Sequence, residues 1–245
     1  MLRKIFLVCL ILGIGVDLVA QKTENVILIT LDGFRWQELF QGADSSILFN
    51  SKEHIKDKSV KTDFWDSSVQ VRRKKLMPFF WNTIQAQGQL YGNRLYNNRV
   101  NCANPHWFSY PGYSEMLVGF VDRQIRSNDT ITNPNSTVLE FIAHQPGFKD
   151  SVAVFSTWDA MPFIIRSASS QVFANCGKSR AIGANLTERE RELNELQGLI
   201  KNPHGSRYDA FTFHYALEYL KRRQPRVMFI SLDETDEHGH GGRYN

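Results

Sequence analysis

At 245 residues, with 42% hydrophobic and 22% charged residues, the chain has material for one large domain or two small ones, and this balance excludes a disordered or collagen-like protein. The net charge of +4 is small and dispersed. Its dense basic runs, Arg72-Arg73-Lys74-Lys75 and Lys221-Arg222-Arg223, read as solvated helix surface, and no nucleic-acid-binding motif accompanies them.

Arg3 and Lys4 precede an apolar stretch from Ile5 to Val16, and Ala20 closes it. That order of charge, apolar core and small residue predicts a secretory signal peptide over residues 1–20, hence a secreted or periplasmic mature chain, 21–245. The core is shorter than the roughly 20 apolar residues a stable membrane span requires, and Asp17 follows it. Of the cysteines, Cys9 falls inside the signal; Cys102 and Cys176 remain, and an oxidising compartment favours a disulfide between them.

Asn25 to Leu31 is a nearly continuous apolar run with β-branched residues, the pattern of a parallel-sheet strand buried on both faces. Residues 45–71 are polar and read as a cap inserted over the sheet. Met77 to Gln87 has helical apolar spacing through Phe79, Phe80, Trp81 and Ile84, and Gln89 to Tyr96 reads as a strand. A short helix follows Pro111-Gly112. Asn135-Ser136-Thr137 caps another that runs to about Gln145, with Val138, Phe141 and Ile142 on one face. Ser151 to Ser156 is a strand. Leu186 to Ile200 and Tyr208 to Arg223 are helices, the first packed through Leu193, Leu196 and Leu199, and Arg226 to Leu232 is a strand. Strands alternating with helices predict an α/β fold, a doubly wound and mostly parallel sheet with helices on both faces.

Three groups could carry chemistry. Asp32 ends the first strand, where a carboxylate can bind a cation, cap a helix or hold a ribose; no glycine fingerprint follows to support the last role. Ser109 precedes a Pro-Gly turn, where a hydroxyl near free helix amides can meet phosphate oxygens, and a metal would favour its alkoxide. No G-x-S-x-G elbow surrounds it, which argues against a Ser-His-Asp hydrolase using His106. Asp236 and His240, on the expected loop after the last strand, pair a carboxylate with an imidazole at a spacing suited to a metal.

In this order the three groups resemble the alkaline phosphatase superfamily, nearest its nucleotide pyrophosphatase/phosphodiesterase branch. The resemblance is carried by Ile29-Thr30-Leu31-Asp32-Gly33-Phe34-Arg35, by Ser109-Tyr110-Pro111-Gly112-Tyr113-Ser114-Glu115-Met116-Leu117-Val118-Gly119, and by Asp236-Glu237-His238-Gly239-His240. It implies a metal-dependent phosphoric-ester hydrolase with Ser109 as nucleophile and two zinc ions, Asp32 and Ser109 holding one, Asp236 and His240 the other. Its partner would be a small phosphate ester, monoester or diester. Gly112 replaces the family's phosphate-contacting Asn, and the sulfatase motif C-x-P-x-R is absent. The family's further Asp-His pair and last His have no counterpart here, so the resemblance implies a C-terminally truncated core with weakened zinc binding and impaired turnover. The competing reading is a non-catalytic exported protein that keeps the scaffold and binds a ligand or partner.

Overall fold

The computed structural model describes residues 23–50, 57–203 and 206–243. The predicted signal peptide and part of the predicted cap lie outside them.

Four strands, β1 (Val26–Leu31), β2 (Val152–Ser156), β3 (Phe173–Cys176) and β4 (Val227–Leu232), form one all-parallel sheet in the order β1-β4-β2-β3. The described residues also form helices α1 (Trp36–Gln41), α2 (Ser45–Leu48), α3 (Lys58–Phe64), α4 (Val69–Leu76), α5 (Gln85–Gln87), α6 (Ser109–Val118), α7 (Val138–Ala143), α8 (Met161–Ile164), α9 (Glu188–Leu199), α10 (Asp209–Arg223) and α11 (Glu234–His240). The predicted α/β architecture with a parallel sheet is the one observed.

Successive residues of a strand point to opposite faces, and β2 and β4 are apolar at nearly every position, so the sheet builds a core on each side. Val152, Val154, Val227 and Phe229 pack with Tyr113 and Leu117 of α6, Leu139 and Ala143 of α7, and Met161 and Ile164 of α8. Ala153, Phe155, Met228 and Ile230 pack on the other side with Leu193 of α9 and with Phe211, Tyr215 and Tyr219 of α10. The chain leaves β2 along the first face, through α8, and reaches β4 along the second, through α9 and α10. Ligands of open parallel sheets bind outside the carboxyl ends of the strands.

Several expectations fail for physical reasons. β1 is an edge strand: Val26, Ile27 and Ile29 stay about half exposed, at 49%, 47% and 57%, where burial on both faces was expected. Its single ladder is with β4, and the helices that follow it pack beyond its carboxyl end. Gln89 to Tyr96 forms no strand. Asn98 Oδ1 accepts from the Gly92 amide and the Asn93 side chain from Leu95, which winds Arg94–Tyr96 into a 3₁₀ turn. The Met77–Gln87 segment begins as a π-helical turn, Phe80–Ile84, of which Trp81 alone is buried, donating to the Leu39 carbonyl at 3.0 Å. In α7 the buried residues are Leu139, Glu140 and Ala143, while Val138 and Phe141 face solvent. In α9 Leu193 is buried and Leu199 is exposed. Cys102 and Cys176 are both free, contrary to the expected disulfide: the first is exposed in a loop, the second buried at the end of β3, where burial pushes its thiol up to about 12.

Candidate functional site

β1 and β4 pair in register, Leu31 opposite Leu232, so the residues that follow, Asp32 and Asp233, emerge side by side from the carboxyl edge of the sheet. The Asp32 amide donates to the Leu232 carbonyl at 2.9 Å, and the Thr235 hydroxyl to the Asp32 carbonyl. Gly33 turns the chain away with φ of +70°; a Cβ there would stand 2.5 Å from the Asp236 backbone, so only glycine lets β1 end this close to α11.

The expected loop at Asp236–His240 is a helix, and its start is built by a distant residue. The Asp209 carboxylate accepts from the Asp233 amide at 2.9 Å and the Glu234 amide at 3.0 Å, while Glu234 accepts from the Asp209 amide at 2.7 Å. This reciprocal exchange satisfies the first amides of both α10 and α11. Thr157, just after β2, adds its hydroxyl to Asp209 at 2.5 Å. The helical period then puts Asp233, Asp236, Glu237 and His240 on one face of α11. The other face, through Glu234, Thr235 and His238, lines a largely apolar cavity of about 500 Å³ walled by Phe34, Ile47 and Phe64.

The acidic face meets Asp32. Burial and the nearby Asp236 hold the Asp32 carboxyl above its ordinary range, against the opposing pull of the Ser109 and Tyr113 hydroxyls and the Gly33 amide. Its Oδ2 is buried with no hydrogen-bond partner. Asp233 is pushed up to about 7, first by burial and then by Asp32, Asp236, Asp209 and Glu237. Tyr113 of α6 accepts from Ser231 at 3.0 Å and lies 3.4 Å from the Thr30 hydroxyl, which ties α6 to the ends of β1 and β4. Ser109 is the first residue of that helix, and the next amide, of Tyr110, is taken by Asn128 at 2.9 Å.

Of the predicted site residues, Asp32, Ser109 and Asp236 are thus brought together. His240 Nε2 reaches Asp236 at 3.4 Å, yet its side chain is 80% exposed against 28% for Asp236. Among the described residues, no three His, Cys, Asp or Glu side chains converge closely enough to hold a metal ion. The donors fit one hard cation at Asp32, Asp236 and Ser109, where a buried carboxylate oxygen is unclaimed, and they do not assemble a second site. Asp233, Asp209 and Thr157 were not singled out from sequence. A signal for the first was present: Leu31-Asp32 and Leu232-Asp233 end two like apolar runs.

Asp233 gives a pH test. With its folded pKa near 7 and its unfolded value near 3.8, the folded protein holds this proton more tightly. The stabilisation is complete below about pH 4 and is lost as pH rises through 7, on the order of 2–4 kcal/mol in all. In EDTA, urea midpoints should therefore fall between pH 5 and 8, and Asp233→Asn should flatten that fall. An unchanged slope in the variant would assign the effect to other groups.

No family model matches this chain, and neither does any curated protein or solved structure. No described helix is long and apolar enough to cross a membrane.

Proposed function

We propose that the chain is a metal-dependent hydrolase of phosphoric esters, related to the alkaline phosphatase superfamily, with Ser109 as nucleophile. The observation that carries this reading is the buried, unpartnered Asp32 oxygen beside Ser109 and Asp236. Part-buried carboxylates that repel one another are relieved by a positive charge between them. A divalent cation held by Asp32 and Asp236 would favour the Ser109 alkoxide and offset charge on the phosphoryl oxygens; zinc is the ion the resemblance implies.

Asp32 and Tyr113 hold the approach to Ser109 on the polar side of α6. The Ser109 oxygen attacks phosphorus, the P–O bond to the alcohol breaks, and the alcohol leaves with a proton. Water then cleaves the phosphoserine, returning a proton to the Ser109 oxygen and releasing phosphate. Exported location and a small phosphate-ester substrate belong to the same proposal.

The exposed position of His240 and the small number of converging donors favour a second reading, a binding protein on the same scaffold. A single assay separates them. Chain 21–245 would be given p-nitrophenyl phosphate, its bis-ester and the sulfate, with zinc, magnesium or EDTA. Metal-dependent release from either phosphate ester, lost in Ser109→Ala, is the expected result. Silence from a folded chain with every metal would leave the binding protein.

A further inference from the structure

A second concavity lies along the loops that flank α6. It has a volume of about 570 Å³ and is lined by Ala103, Pro105, His106, Val121, Arg123 and Arg126. Other arginines of the fold are engaged: Arg166 with Glu140 at 3.1 Å, Arg222 with Glu190 at 2.7 Å. Among the described residues, Arg123 and Arg126 have no hydrogen-bond, ion-pair or ring partner.

The turn that carries them is nevertheless well fixed. The Ile125 amide donates to the Asp122 carbonyl at 3.2 Å, and Ile125 packs against the core. Asp122 accepts from the Gln124 amide at 2.8 Å and from the Asn135 side chain at 2.6 Å, so this carboxylate is committed. Glu115 is committed too, to the amides of Ala103 and Asn104 and the Asn104 side chain, and Asp129 accepts from the Ser127 hydroxyl at 2.6 Å. Two guanidiniums are thus presented at a concave wall with their neighbouring acids occupied. The pocket adjoins the start of α6: His106 is three residues before Ser109, and Asn128, which binds the Tyr110 amide, is two after Arg126.

The geometry points to an anion subsite, in which Arg123, Arg126 and His106 receive a phosphate or carboxylate group. Its substrate half rests on the hydrolase reading: the group is the far anionic end of an ester whose reacting phosphorus lies at Ser109. Guanidinium forks match such anions with paired hydrogen bonds.

Calorimetry with inorganic phosphate and the full chain in EDTA tests the pocket without turnover. Saturable binding is expected, weakened about tenfold or more in Arg123→Gln/Arg126→Gln, partly kept in the double lysine variant, and unchanged in Arg223→Gln. No binding, or equal binding by the glutamine variant, overturns the subsite. Kinetics with hexane-1,6-diol bisphosphate against hexyl phosphate, with metal, test the substrate half. The kcat/KM advantage of the bisphosphate should vanish in the glutamine variant; no advantage in the parent chain overturns that half. If neither ester is cleaved, the hydrolase reading fails, and calorimetry still decides the pocket.

Discussion

Replacing Arg207 with methionine should destabilise the fold by roughly 3–5 kcal/mol, among the largest effects of any single change. This guanidinium is 2% exposed and lies across the carboxyl ends of β2 and β3. It donates to the Ser156 and Asn175 carbonyls, both at 2.9 Å, to Asn175 Oδ1 at 2.7 Å, to Thr212 at 2.8 Å and to Ser179 at 3.3 Å. Burial pulls its pKa down to about 10, so it stays charged near neutrality. Methionine fills much of the volume but removes all these donors at once; Ser156, Ser179 and Thr212 keep the Gly177 amide, the Gln197 side chain and the Thr157 hydroxyl, while Asn175 Oδ1 loses its donor, and each buried unsatisfied group costs about 1–3 kcal/mol. Urea unfolding should show the loss, and Arg207→Lys should recover part of it, because one ammonium cannot serve so wide a fork. A loss below about 1 kcal/mol would mean that desolvation cancels the hydrogen bonds.

Asp32→Asn should move stability and activity in opposite directions. Without metal, the substitution removes a charge that burial and Asp236 disfavour, so the urea midpoint in EDTA should rise at pH 8. With metal, kcat/KM for a phosphate ester should fall by more than about 100-fold, beyond what loss of an outer-shell partner usually costs. A variant that is more stable yet fully active would remove Asp32 from the proposed chemistry. One that loses activity together with stability would make it a structural residue.

The sheet was legible in sequence wherever a strand is a long apolar run, as at Val227–Leu232 and Val152–Ser156. β3 was not, because four residues with Asn175 among them carry no periodicity, and their place depends on pairing with β2. The helical state of Glu234–His240 was hidden for a related reason: its first amides are satisfied by Asp209, far back in the chain. The candidate site is readable as residue types at strand and helix ends, which is what singles out Asp32, Ser109 and Asp236. The poor seating of His240 and the part played by Asp233 depend on which face of α11 turns inward, and a segment read as a loop has no faces.

The pairing of β1 with β4 also has a kinetic meaning. It joins segments far apart in sequence; Asn25 donates to the Pro225 carbonyl across a sequence separation of 200 residues. Contacts between such distant segments form late, since the intervening chain must be closed before they are rewarded. An edge strand with exposed faces also opens before the core. Asp32 sits on that strand and Asp236 beyond its partner, so each fraying of the edge takes the site apart. A bound cation or ester would then act as a staple between β1 and β4, slowing amide exchange in Val26–Leu31 far more than in Val152–Ser156.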